Sequence, residues 1–134
     1  MVDNNELNLA KHRLEQAHEC LRASEVNMAT SLKTAVNRSY YSIFHAMRAI
    51  LALDKYDSKK HSGIISEFRL RYIKTGKFPK QFSVIIGNAF EIRNESDYED
   101  FYIVAESEAI QQINNARLFL KAVEEYITRL QMQS

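Results

Sequence analysis

The chain has 134 residues, 46% apolar and 26% charged, proportions that exclude a disordered chain and suit one domain with one core. Three glycines and one proline are too few for the tight turns of a β-sandwich or barrel, or for a glycine-rich phosphate loop. The formal charge is only +1, and the single cysteine, Cys20, excludes an intramolecular disulfide or a multi-cysteine zinc site.

Leu7, Ala10, Leu14, Ala17 and Leu21 recur at steps of three and four, which predicts a one-sided helix over about 5–29. His12 and His18, six apart on its other faces, read as solvated. Ser31 caps a second predicted helix that runs to about Leu53. Here Val36, Tyr40, Ile43, Met47 and Ile50 form an apolar stripe, and Ala35, Ser39, Ser42, Ala46 and Ala49 form a stripe of small residues beside it. This helix should be central. A third row, Arg38, Tyr41, His45 and Arg48, puts two cations, an imidazole and a phenol on one face. It is either a site or a polar seam between helices.

Ile64, Ile65, Phe68, Leu70, Tyr72 and Ile73 predict a third helix ending near Gly76, a residue suited to a C-cap. Pro79 fits the first turn of a fourth, with Phe82, Ile85, Ile86, Ala89 and Ile92 on its buried face and an end near Ser96. Ser107 reads as the cap of a fifth helix with Glu108 in its first turn. Ala109, Ile113, Ala116, Leu120, Val123, Ile127 and Leu130 then keep the alternation unbroken. The expectation is a single all-α domain over 1–134.

Charge is unevenly spread. Residues 55–80 hold eight basic side chains against two acidic ones, and residues 81–108 hold Arg93 against seven acids. A cationic stretch can track a phosphate backbone, but a solvated face, or a basic patch that meets the acidic one, is the commoner arrangement. The first ten residues are polar, and no apolar run has the length that spans a bilayer. These features predict a soluble, cytoplasmic protein with no membrane partner, and no cofactor or metal is expected.

Protease, hydrolase, P-loop and metal-binding motifs are absent. One segment carries chemistry: Arg93-Asn94-Glu95-Ser96-Asp97-Tyr98 places a guanidinium, an amide and a carboxylate within a turn and a half. Arg93 and Asp97, four apart, can pair locally. Five residues of regular helix turn through about 140 degrees and would separate Tyr98 from Arg93, unless the helix breaks near Ser96.

Three blocks together resemble the HEPN (higher eukaryotes and prokaryotes nucleotide-binding) domain family. They are Ala35-Val36-Asn37-Arg38-Ser39-Tyr40-Tyr41-Ser42-Ile43-Phe44-His45-Ala46, then Lys60-His61-Ser62-Gly63 with Phe68, and then Arg93 through Asp97-Tyr98. They look like the small prokaryotic branch with an Arg-x-x-x-Asp-Tyr signature. The resemblance implies an up-and-down four-helix bundle with an additional short helix, forming a homodimer with the arginine motif in a cleft at its interface. It also implies the toxin half of a toxin-antitoxin pair whose antitoxin is a minimal nucleotidyltransferase (MNT), and RNA cleavage without a metal ion.

On that basis Arg93, Asn94, Asp97, Tyr98 and His61 are candidate catalytic residues, Arg38, Tyr41 and His45 are candidate nucleotide or RNA contacts, and Tyr98 and Tyr102 are candidate acceptors of AMP from the partner. The sequence departs from the nucleolytic pattern at one point. That pattern has a histidine after four to six residues beyond the arginine, where this chain has Tyr98, Glu99 and Asp100. A non-catalytic module that binds a nucleotide, RNA or a partner is the alternative, and a purely structural helical subunit is a third reading.

Overall fold

A computed structural model describes residues 3–133. Its elements are α1 (Asn4–Asn27), α2 (Leu32–Ala52), α3 (His61–Phe68), a π-helical turn (Arg69–Ile73), α4 (Gln81–Tyr98) and α5 (Glu106–Gln133). No strand occurs among the described residues. The four long helices form the up-and-down bundle and α3 is the short addition, as expected.

Every residue of the two predicted α2 stripes is buried, so this helix is central and packs against α1, α3, α4 and α5. The small stripe allows close approach to α1, where hydroxyls bond across to backbone: Ser42 Oγ donates to the Ala17 carbonyl at 2.9 Å, and Ser24 Oγ of α1 to that of Ala35 at 2.6 Å. Paired this way, buried hydroxyls avoid the desolvation cost of an unmet polar group. Phe68, Phe78, Phe82, Phe119, Tyr72 and Tyr126 form a chain of edge and tilted ring contacts in the main core.

Helix ends differ in detail from the expectations. Asp3 caps α1 with a reciprocal Asp3–Glu6 capping box, and Ser31 caps α2 by accepting from the Thr34 amide. Pro79 lies in the turn before α4, which begins at Gln81. Ser107 is not a cap: α5 begins at Glu106, and Glu108 Oε1 accepts the Ala105 amide at 3.1 Å, so the acidic side chain meets the orphan donor.

The third helix tightens into α3 and then loosens into the π-helical turn, where the Lys74 amide reaches back to the Arg69 carbonyl at 2.8 Å. That extra residue per turn rotates the remainder of the segment about its axis. Leu70, expected on the buried face, is instead exposed. Gly76 lies at φ 81°, the left-handed conformation in which glycine ends a helical segment.

His18 is not solvated. It is half-buried against α5, with Nε2 3.5 Å from Glu124 Oε1. His12 is exposed as expected. Among the described residues no ion pair joins the basic stretch to the acidic one, and no helix is long and apolar enough to cross a membrane.

Candidate functional site

The polar face of α2 meets the last two turns of α4, and this junction gathers most of the predicted site residues. Arg93 projects from α4 towards α2. Its Nη2 donates to the Tyr41 hydroxyl at 2.9 Å, its Nη1 donates to Asn94 Oδ1 at 3.0 Å, and its Nε lies 3.1 Å from Asp97 Oδ2. The side chain is 12% exposed and that of Asp97 27%, so the pair is shielded better than a surface i,i+4 bridge. The guanidinium carbon also lies 5.2 Å from the Tyr40 ring centre, 5.3 Å from that of Tyr41 and 5.9 Å from that of Tyr98, an aromatic box that favours a cation.

Tyr98 therefore does reach Arg93, although α4 runs unbroken through it. The long arginine side chain spans what helical rotation separates. Tyr98 is 72% exposed, so it forms the outer wall of the box.

Asn37 and Arg38 extend the network on α2. Asn37 Nδ2 donates to Asp97 Oδ2 at 3.1 Å, while its Oδ1 accepts from Arg38 Nε at 3.0 Å and Nη2 at 2.8 Å. Arg38 also stands 5.0 Å from the Tyr41 ring centre. Tyr41 thus has a guanidinium from each helix in range, and Asp97 is the one carboxylate within this network.

His61, the first residue of α3, enters through Tyr40. The Tyr40 hydroxyl and His61 Nδ1 are 2.8 Å apart, and the imidazole stacks on Phe44 with centroids 4.2 Å apart. Burial first, then the charges of Arg93 and Arg48, push the His61 pKa down, so the ring is neutral near pH 7. Burial holds the Tyr40 phenol above its ordinary value, so it keeps its proton. With no other partner for that proton among the described residues, Tyr40 donates to Nδ1 and the imidazole proton resides on Nε2.

The remainder of the α2 row is a polar seam. Arg48 holds Asp57 through Nε–Oδ1 at 3.2 Å and Nη2–Oδ2 at 2.9 Å, and Arg13 of α1 adds Nη2–Oδ2 at 3.2 Å and a bond to the Arg48 carbonyl. These contacts pull the Asp57 carboxyl below the usual range. His45 lies within 6.2 Å of Tyr41, ring to ring, but its Nδ1 is buried without a partner. Its pKa is pushed down to about 4, by burial and then by Arg48, Arg38, Arg13 and His61.

Tyr102 lies apart from the cluster. Its hydroxyl donates to Glu108 Oε2 at 2.8 Å, a bond that pushes its pKa up to about 12. It shares a broad open cleft with Glu95, Tyr98 and the exposed Phe101 in the α4–α5 connection.

Of the predicted residues, Arg93, Asn94, Asp97, Tyr98, Tyr41 and Arg38 thus meet directly, His61 joins through Tyr40 and through an edge contact with the Tyr41 ring, centroids 5.7 Å apart, and His45 and Tyr102 stand at the margins. Sequence reasoning misses two members. Tyr40 belongs by its spacing to the core stripe, where its ring does lie, but the hydroxyl holds His61. Asn37 bridges α2 to α4 across 60 positions; its place beside Arg38 in the tyrosine block is the only signal of that role.

The chain is also similar in sequence to known proteins. The chain is 33% identical over 116 residues to a "UPF0332 protein" of Thermotoga maritima, covering 86% of this chain and 88% of that one. It is 31% identical over 116 residues to "Putative toxin MJ0142" of Methanocaldococcus jannaschii, covering 85% and 78%. A second protein of that organism, "Putative toxin MJ0605", is 30% identical over 118 residues, covering 87% of each. The HEPN domain family profile matches residues 10–126, and the chain belongs to that family.

Proposed function

We propose that this chain is the toxin-like component of a cytoplasmic HEPN/MNT toxin-antitoxin pair, acting on RNA as a homodimer and held or modified by a minimal nucleotidyltransferase antitoxin. The observation that carries the reading is the state of Arg93. Tyr41, Asn94 and Asp97 fix the plane of its guanidinium, yet each Nη keeps a second N–H that bonds to nothing among the described residues. A cation held in place before the reaction stabilises developing negative charge without having to reorganise, and the planar fork suits two phosphate oxygens.

The chemistry proposed is metal-independent transesterification by an endoribonuclease. The 2′-oxygen bonds to its own phosphorus, the bond from phosphorus to the 5′-oxygen breaks, the 2′-hydroxyl loses a proton and the leaving oxygen gains one. Arg93 stabilises the phosphorane. His61 Nε2 carries a proton in the resting tautomer and suits donation to the leaving 5′-oxygen, the 2′-hydroxyl proton passing to water. To act as the base instead, the ring must first exchange with solvent to the Nδ1–H tautomer, whose proton the Tyr40 oxygen accepts as a hydrogen bond while the phenol turns its own proton away. Arg38, with Tyr41 and His45 beside it, extends the cationic surface. Tyr98, exposed beside Arg93, is the better acceptor for AMP, because Tyr102 is tied to Glu108.

The test is RNA cleavage in EDTA by wild type, Arg93→Ala and His61→Ala, following 2′,3′-cyclic phosphate ends. Loss of an aimed cation should lower the rate at least ~100-fold; an Arg93→Ala protein as active as wild type removes the assignment. A second reading, a non-catalytic nucleotide-, RNA- or partner-binding module, draws on the missing motif histidine and on the internal partners of Arg93. Wild type that binds RNA and leaves it intact selects that reading.

A further inference from the structure

The acidic and basic stretches of the chain do not neutralise one another. Of the seven acids in 81–108 only Asp97 is ion-paired among the described residues, and its cation, Arg93, belongs to the same stretch. Lys59, Lys60, Lys74 and Lys80 are exposed and form no ion pair among the described residues. Two opposite charge excesses left open on one chain are complementary between copies, where such charges steer association and fix register.

The acidic stretch also carries the two most exposed large apolar side chains among the described residues, Phe101 at 95% and Ile103 at 84%. Phe101 stands beside Glu95, Glu99 and Asp100, with the exposed Tyr98 in the same cleft. Scattered apolar residues are ordinary on a surface, but a cluster of this kind marks an interaction site.

A receptor of matching size and sign lies on the same chain. A groove of about 200 Å³ between α3 and α4 has apolar walls at Ile65 and Phe90 and is kept open by the small residues Ser62, Ser66 and Gly87. It is below the ~300 Å³ at which sites for drug-sized ligands begin, and so has room for one large side chain. Arg69 lines it, and the exposed Lys59 and Lys60 precede Ser62. Of the acids adjoining the lining residues in sequence, Glu67 is paired with Arg71 and Glu91 is unpaired.

We infer that a second copy of this chain docks here, Phe101 of each protomer entering the α3–α4 groove of the other while Glu99 and Asp100 face Lys59 and Lys60. This contact rests on the homodimer proposed above, whose surface it specifies, and not on RNA cleavage. Gly87, Phe90, Asn94 and Tyr98 recur at steps of three and four, so groove and loop share one face of α4. A two-fold axis across that face near Asn94 forms both contacts at once and closes the dimer, where a single head-to-tail contact would run on into a filament.

Sedimentation equilibrium of wild type, Phe101→Ala and Ser66→Trp tests the contact. Both substitutions fall at exposed positions, and thermal unfolding checks that each variant stays folded. Either one removes a buried aromatic contact twice per dimer and should raise the dissociation constant at least ~100-fold. An equimolar mixture of the two variants regains one contact, an intact Phe101 meeting an intact groove, and should form heterodimers at concentrations where each alone is monomeric. The wild-type dimer should also weaken at about 1 M salt, where charges are screened beyond ~3 Å. A wild-type dimer that either variant leaves unchanged, a mixture that stays monomeric, or indifference to salt overturns the docking surface, and an open-ended series of wild-type oligomers overturns the two-fold arrangement. Wild type that is monomeric throughout removes the homodimer reading itself.

Discussion

Lowering the pH from 7 to 5 should cost the fold about 2 kcal/mol through His45 alone. The imidazole faces Arg13, Arg38, Arg48 and His61 and sits among buried neighbours on α2, so its pKa is about 4 in the folded chain against 6.5 when exposed. The unfolded chain therefore takes up the proton first, and stability drains as pH falls through 6.5 and is fully present above it. At pH 5 the difference covers about 1.5 pKa units at 1.36 kcal/mol each, and by pH 4 the loss approaches about 3 kcal/mol. Urea unfolding of wild type and His45→Gln at both pH values isolates the contribution, because His61, whose depressed pKa acts with the same sign, is present in both proteins. With a urea dependence of about 2 kcal/mol per molar, the wild-type midpoint should fall roughly 1 M further than that of the variant. Equal losses in the two proteins, or an NMR titration placing His45 near 6.5, would refute the reasoning.

Tyr40→Phe keeps the buried ring and its stacking on Phe44 but removes the hydroxyl that holds His61 Nδ1. It should destabilise by roughly 1–2 kcal/mol and, on the RNase reading, lower cleavage with little change in RNA affinity; an unaltered melting temperature would show that the bond contributes nothing. Asp57→Asn leaves Arg13, whose side chain is only 10% exposed, without its counter-charge. Since Asp57 is itself 47% exposed, solvent screening holds the expected loss to about 1–2 kcal/mol, and a variant with wild-type stability in thermal unfolding would assign the seam no structural role.

The fold is legible wherever one physical rule decides the outcome. The stripes of α2 and the alternation of α5 follow from 3.6 residues per turn, and their burial is complete or nearly so. Legibility fails where the backbone has more than one solution. Nothing in Arg69-Leu70-Arg71-Tyr72-Ile73 announces an i→i+5 turn, because a π-helical insertion is stabilised by tertiary packing and not by residue propensity. The start of α5 escapes a sequence reading for a related reason: a capping serine is the commoner solution, but Glu108 can meet the free Ala105 amide from inside the first turn.

The site divides along the same line. Arg93 and Asp97 are a local pair and can be read directly, whereas the contacts that give Arg93 its orientation come from Tyr41, 52 positions away. Sorting residues as core or polar also misleads when one side chain is both. Tyr40 satisfies the apolar stripe with its ring, and the same burial that makes it core keeps its hydroxyl protonated and so able to hold His61. The missing motif histidine and the presence of His61 bear on one another through this residue. The imidazole at the start of α3 reaches the arginine cluster by two contacts, the Tyr40 hydroxyl and the edge of the Tyr41 ring, so on the RNase reading any acid-base capacity it adds depends in part on a residue whose sequence position marks it as packing.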